Sequence, residues 1–240
     1  MKLKASALIL LLSLFNHLQA GIAFSDDFND GALGSHLDNF EGTFAETGGQ
    51  LKNIYGTRST IRTSDSDYIS NDFIFESTIT ISSTEIAFMG MGTGAQDPNL
   101  SNEPFGAYLR MHDSTLVGGR VDLVVNSSPL SGFEFVDYGF GNFGNGTHRV
   151  RSTLTGSLLT FDIDQHYNGT FNTDASSSVD LSLFSFNSTN SHLFVGTSTS
   201  GAAYDDMLVS VSAVPEPASL SLLLLSCGSL AFFRRKRKIV

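Results

Sequence analysis

The sequence is poor in several residues that mark common protein classes. Its 240 residues include one cysteine, Cys227, so no intramolecular disulfide can form and a disulfide-stabilised scaffold is excluded. Only five prolines are present and the 23 glycines show no period of three, which excludes a collagen-like chain. Charged residues make up 16% of the chain, too few for a coiled coil or a Lys/Glu-rich helical bundle. Tryptophan is absent.

The residues that are abundant indicate a folded, Phe-rich domain. Hydrophobic residues make up 41% of the chain and include 20 phenylalanines, enough to build a core and to exclude a disordered protein. The length suits one large domain, or at most two small ones.

Charge is distributed unevenly along the chain. The formal net charge is −10, but half of the 14 basic residues lie within the first four or the last seven residues. Residues 24–213 therefore keep seven basic and 23 acidic residues, a net charge of −16. A strongly acidic domain is repelled by phosphate backbones, so nucleic acid is excluded as a partner.

The N-terminus has the features of a secretory signal peptide. Two lysines precede an apolar run over residues 5–15, and small residues suitable for cleavage follow, ending at Ala20 or at Ala23. We predict that residues 1–23 form the signal peptide. The alternative is a membrane anchor, for which the apolar run is short.

The C-terminus combines a proline pair, an apolar run and a basic end. Pro215 and Pro217 cannot continue a strand or lie inside a helix, so they separate the domain from a predicted membrane helix over residues 218–233. A basic cluster follows, and the positive-inside rule keeps such a cluster in the cytoplasm. The cluster comprises Arg234, Arg235, Lys236, Arg237 and Lys238.

This arrangement resembles the PEP-CTERM sorting signal over residues 213–238, with Val214, Pro215, Glu216 and Pro217 as its motif. The resemblance implies an exported protein of a Gram-negative bacterium that makes exopolysaccharide or biofilm matrix. It also implies a precursor held transiently in the inner membrane and processed there by an exosortase, with the mature form in the cell envelope or outside the cell. The alternative is an ordinary single-span tail anchor.

Residues 24–212 have the pattern of an all-β domain. Residues 73–81, 121–125, 159–163 and 207–211 alternate apolar and polar side chains, the period of a strand with one buried face. Clusters of Gly, Asn, Asp and Ser separate these runs. We predict one antiparallel β-sandwich, a jelly roll.

Three segments resemble the laminin-G/concanavalin A-like sandwich. Residues 148–164 have the form of a hairpin that turns at Thr155-Gly156, and Asp-Asp steps occur in residues 24–28 and 204–209. The resemblance implies that the first and last strands pair. A different jelly roll and another carbohydrate-binding β-sandwich remain as alternatives.

The sequence lacks the motifs of an enzyme. Glycosidases of this fold carry two glutamates spaced E-x-D-x-x-E, whereas the nearest segment, 134–137, has one glutamate and one aspartate. Residues 139–144 match G-x-G-x-x-G, but the residues that follow suit a strand, so no helix N-terminus is available for phosphate. We predict a protein that is not an enzyme; a glycoside hydrolase is the least favoured reading.

Four aspartates predict a structural Ca²⁺ site. Asp26, Asp27, Asp205 and Asp206 meet if the terminal strands pair, and Ca²⁺ prefers such hard oxygen ligands. The alternative is that these acids face water and keep the domain soluble.

Aromatic and amide side chains predict a carbohydrate site. We take Tyr138, Phe140, Asn142 and Tyr167 as candidate ligand-binding residues, because sugar sites combine a stacking surface with hydrogen-bonding groups. The predicted function is non-catalytic binding of exopolysaccharide. The alternative is a purely structural matrix or surface protein without a small ligand.

Overall fold

A computed structural model describes residues 21–82, 86–96, 104–112, 119–126, 134–137, 144–187, 189–198 and 201–212. Residues 22–211 form one compact unit, and the two chain ends form a second unit that lies almost wholly outside the described residues. No helix within the described ranges is long and apolar enough to cross a membrane. The predicted signal peptide over 1–20, the Pro-Glu-Pro motif, the predicted membrane helix and the basic cluster lie outside those ranges.

The described part of the chain contains fifteen strands and one short 3₁₀ helix, Leu181–Leu183. The strands are β1 Gly21–Asp26, β2 Leu37–Glu41, β3 Phe44–Glu46, β4 Leu51–Asn53, β5 Ser59–Thr63, β6 Phe73–Ile81, β7 Ile86–Gln96, β8 Pro104–His112, β9 Arg120–Asn126, β10 Glu134–Asp137, β11 Gly146–Thr155, β12 Leu158–Asp164, β13 Ala175–Asp180, β14 His192–Thr197 and β15 Ala202–Val211.

These strands form two sheets. Sheet 1 has the order β13-β12-β11-β6-β15-β4-β3, and β1 also pairs with β15. Sheet 2 has the order β10-β9-β8-β7-β14-β5-β2. The prediction of an all-β antiparallel sandwich is confirmed, and so is the pairing of the first strand with the last.

The period-two pattern decides which side chains enter the core between the sheets. On β6, Phe73, Phe75 and Ile79 are at most 2% exposed. The residues between them face away from the core, and among these Glu76 stays half-buried. The outer face of sheet 1 therefore carries polar and charged side chains in the middle of a long central strand.

The predicted hairpin is present, with its turn one residue later than expected. Strands β11 and β12 pair from Arg149 opposite Asp164 to Thr155 opposite Leu158. The loop is Gly156-Ser157, and Gly156 has φ +61°, a left-handed conformation that glycine adopts without steric cost. This hairpin extends sheet 1 beyond β6 and places Arg149 on its outer face.

Candidate functional site

A β-bulge interrupts the last strand. The register of β15 against β6 shifts between Asp205 and Leu208, so one extra residue is inserted there. Asp206 has φ +47°, a region that Asp and Asn tolerate better than most residues, and its N–H donates to its neighbour Asp205 Oδ1 at 2.8 Å. The bulge leaves the Asp206 side chain 59% exposed on the outer face of sheet 1.

The turn that follows β1 holds three further aspartates by the same local mechanism. Asp26 Oδ1 accepts the Phe28 N–H at 2.9 Å, Asp27 Oδ1 accepts the Asn29 N–H at 3.3 Å, and Asp30 Oδ1 accepts the Ala32 N–H at 3.0 Å. Such bonds, from a side chain to the backbone two residues on, fix a turn. Phe28 is fully buried with φ +51°, and it anchors the turn to the core.

An arginine from β11 lies under this turn and is almost fully neutralised. Arg149, 9% exposed, donates from Nη1 to Thr78 Oγ1 at 2.8 Å and from Nη2 to Glu76 Oε2 at 3.1 Å. Its Nη1 is also 3.8 Å from Asp206 Oδ2. Glu76 receives a second arginine, Arg151, whose Nε donates to Oε1 at 2.6 Å. One buried carboxylate therefore holds two guanidinium groups in place.

The segment after β12 places aromatic rings over both arginines. Arg149 Cζ lies 5.7 Å from the Tyr167 ring centre, and Arg151 Cζ lies 4.1 Å from the Phe171 ring centre, which are cation–π distances. Tyr167 N–H donates to Thr147 O at 2.9 Å, which ties the segment to β11.

These elements together border an open cleft of about 710 Å³ on the outer face of sheet 1, here called the bulge cleft. Its lining comprises Ser25, Asp26, Asp27, Asp30, Gly34, Arg149, Tyr167, Asp206, Met207 and Leu208. Gly34 is required by close packing, because a Cβ at this position would lie 2.9 Å from Asp26 Oδ2.

The bulge cleft unites two sets of residues that the sequence suggested separately. Asp26, Asp27 and Asp206 come from the predicted calcium site, and Tyr167 comes from the predicted carbohydrate site. The other predicted carbohydrate residues, Tyr138, Phe140 and Asn142, lie outside the described ranges.

Sequence reasoning missed two lining residues, Asp30 and Arg149. Asp30 follows the Asp-Asp step by three residues, a spacing that suggests a shared turn. The charged residue Arg149, in an otherwise apolar and polar strand, gave a weaker signal.

Crowding of carboxylates perturbs two groups around the bulge cleft. Burial raises the pKa of Asp205, and the charges of Asp206 and Asp27 raise it further, while Arg149 opposes the shift. Burial likewise raises the pKa of Glu46, which lies near Asp26 and other acids of the turn. The negative charge of the cleft therefore exceeds what its one arginine offsets.

The residues present do not fit a preformed calcium centre. The described ranges contain no group of three or more His, Cys, Asp or Glu side chains placed to hold a metal ion. Asp26, Asp27 and Asp205 each use one carboxylate oxygen to accept a nearby backbone N–H. The predicted site of four aspartates is therefore not assembled, because these carboxylates fix their own turns and do not converge on one point.

Comparisons with known proteins bear on the tail and on the fold. Residues 213–238 match the PEP-CTERM protein-sorting motif. The chain carries a PEP-CTERM signal. No curated protein matches the sequence.

The sandwich is similar to solved lectins and carbohydrate-binding modules. The CBM2 module of the evolved Dit protein of Lactobacillus casei BL23 phage J-1 is 12% identical with a TM-score of 0.56, and the match covers 82% of this chain and 98% of that one. The winged bean acidic lectin complexed with methyl-α-D-galactose is 12% identical with a TM-score of 0.54, over 80% and 98%. The exoplasmic domain of VIP36 in its Ca²⁺/Man-bound form is 9% identical with a TM-score of 0.52, over 76% and 85%. At such identities the likeness establishes the concanavalin A-like fold alone.

Proposed function

We propose that the chain is exported, is processed at its PEP-CTERM signal by an exosortase, and binds a glycan in the bulge cleft without catalysis. The observation that carries the binding proposal is the cleft itself. It combines one aromatic ring, Tyr167, with four aspartates and one arginine in an open concave surface. Carboxylates accept hydrogen bonds from sugar hydroxyls, and a tyrosine ring offers a flat apolar surface to a pyranose.

The charge of the cleft restricts the glycans that suit it. Asp26, Asp27, Asp30 and Asp206 line it, while the guanidinium of Arg149 is already bonded to Glu76. A polyanion such as a uronate polymer would be repelled, both locally and by the acidic domain as a whole. We therefore propose a neutral or amino-bearing exopolysaccharide as the ligand.

The fold likeness supports the proposal at the level of architecture. One structural neighbour is a lectin complexed with a galactoside and another is a mannose-bound VIP36 domain, each on a sandwich of the same kind. The sheet face that carries the cleft in this chain is argued from its own side chains.

Glycan binding is tested with three probes of equal length. These are a chitin oligosaccharide, its fully de-N-acetylated form and an oligouronate, each titrated by calorimetry against the exported protein. We expect binding of the first two, tighter for the amine form, and none of the oligouronate. Release of reducing ends should not accompany binding.

A matched pair of tyrosine variants locates the site. Tyr167→Ala should weaken binding at least about tenfold, the equivalent of 1.4 kcal/mol. Tyr55→Ala removes a 69% exposed tyrosine outside the cleft and should have no effect. If none of the three probes binds, the domain is a structural spacer; if both variants behave alike, the glycan binds elsewhere.

A further inference from the structure

The first strand of the sandwich begins where a signal peptide would end. Strand β1 spans Gly21–Asp26 and pairs with β15. The sequence leaves two cleavage points open, one after Ala20 and one after Ala23. We propose that the signal peptide is cleaved after Ala20, so that the mature protein begins at Gly21. This proposal rests on the proposed export.

Residues on both sides of the alternative bond take part in the fold. Ala23 lines a pocket of about 370 Å³ together with Tyr68 and Val211, the last residue of β15. Phe24 is 7% exposed and belongs to the core cluster. Its ring stacks on His36, with ring centres 5.5 Å apart and planes 9° apart.

Cleavage after Ala23 would damage this arrangement in two ways. It would remove three of the six residues of β1, and with them part of the backbone pairing along β15. It would also place a charged α-amino group on Phe24, whose side chain is buried, and a charge next to the core is costly unless it is paired. Unpaired backbone groups left on β15 would add to the cost.

Cleavage after Ala20 avoids both costs. The strand stays whole, and the new α-amino group lies on its first residue. The step is a hydrolysis: the Ala20–Gly21 peptide bond breaks, water supplies a hydroxyl to the Ala20 carbonyl and a hydrogen to the Gly21 nitrogen. Leu18-Gln19-Ala20 provides the small residue needed directly before the bond.

The site is tested on the full chain expressed in a bacterium with an intact secretion system. Intact mass and N-terminal sequencing of the exported protein should show Gly21 as the first residue. A first residue of Phe24, or any other residue, would overturn the proposal. A chain that stays uncleaved and is retained in the cell would instead overturn the proposed export.

Two matched variants separate the candidate bonds without depending on the fold, because the readout is the processed mass. Ala20→Leu places a bulky side chain directly before the proposed bond and should leave uncleaved precursor. Ala23→Leu makes the same change before the alternative bond and should leave cleavage at Ala20 unaltered. The reverse outcome, with only Ala23→Leu blocking cleavage, would contradict the proposal.

Deletion of residues 21–23 tests the structural reason for the choice. The deleted precursor keeps the Ala20 site and releases a protein that begins at Phe24. We expect this protein to melt at least about 5 °C below the protein that begins at Gly21. Equal melting temperatures would show that the first half of β1 contributes no stability, and would remove the reason for preferring Ala20.

Discussion

Glu76 offers a direct test of how the floor of the bulge cleft is held together. Its side chain is 13% exposed and bonds both Arg149, at 3.1 Å, and Arg151, at 2.6 Å. In Glu76→Gln the amide can still accept one hydrogen bond, but two arginines lose their shared counter-charge. Breaking a buried ion pair by removing one partner costs about 3–5 kcal/mol, and the 34% exposure of the Arg151 side chain moves the expectation to about 3 kcal/mol.

For a domain of this size that loss lowers the melting temperature by about 6–12 °C, because 1 kcal/mol corresponds to about 2–4 °C. The matched control is Glu41→Gln. The Glu41 carboxylate lies 3.7 Å from Arg58 and its side chain is 31% exposed, so the same change should cost at most about 1 kcal/mol. Thermal unfolding of the exported protein followed by circular dichroism measures both. Melting temperatures within about 2 °C of each other for the two variants would refute the assignment of Glu76 as the charge that anchors both arginines.

Three further predictions follow from single features. Burial lowers the pKa of His148 to about 4, so the unfolded chain takes up a proton that the folded chain does not as pH falls below 6.5; urea unfolding at pH 7 and pH 4 should show a loss of about 3 kcal/mol, absent in His148→Phe. Because Asp206 has φ +47°, Asp206→Val should destabilise by about 1–2 kcal/mol in the same assay, whereas Asp206→Asn should be neutral. Because no metal group is preformed, Ca²⁺ and Mg²⁺ at equal concentration should give the same melting temperature; a rise with Ca²⁺ alone would restore the predicted calcium site.

The faces of the strands follow from the sequence, but their partners do not. Alternation on residues 73–81 assigns Phe73 and Phe75 to the core, and the structure agrees. It gives no information on which strands flank β6, and these turn out to be β11 and β15, far along the chain. Pairing depends on loop closure and on packing between the sheets, which a local period does not record.

The site was predictable where local chemistry decides it. The Asp-Asp steps and Tyr167 stand out because their residue types are typical of turns and binding surfaces. The bulge at Asp206 was not predictable, because a one-residue insertion is defined only against the partner strand β6. Convergence on calcium was wrongly expected because the sequence shows the acids and not the backbone N–H groups that their oxygens already accept.

The two sheets differ in what their outer faces offer to a ligand, and this difference favours sheet 1. Sheet 2 carries a second apolar cluster that includes Phe88, Tyr108 and Phe194, yet each of these rings is at most 1% exposed. The rings lie close over glycines of neighbouring strands; a Cβ on Gly106 would lie 2.8 Å from Phe194 Cε1. These aromatic side chains are spent on packing and offer no stacking surface. A sugar that needs an aromatic contact among the described residues must therefore find one that is held at the surface by polar neighbours, as Tyr167 is by Arg149.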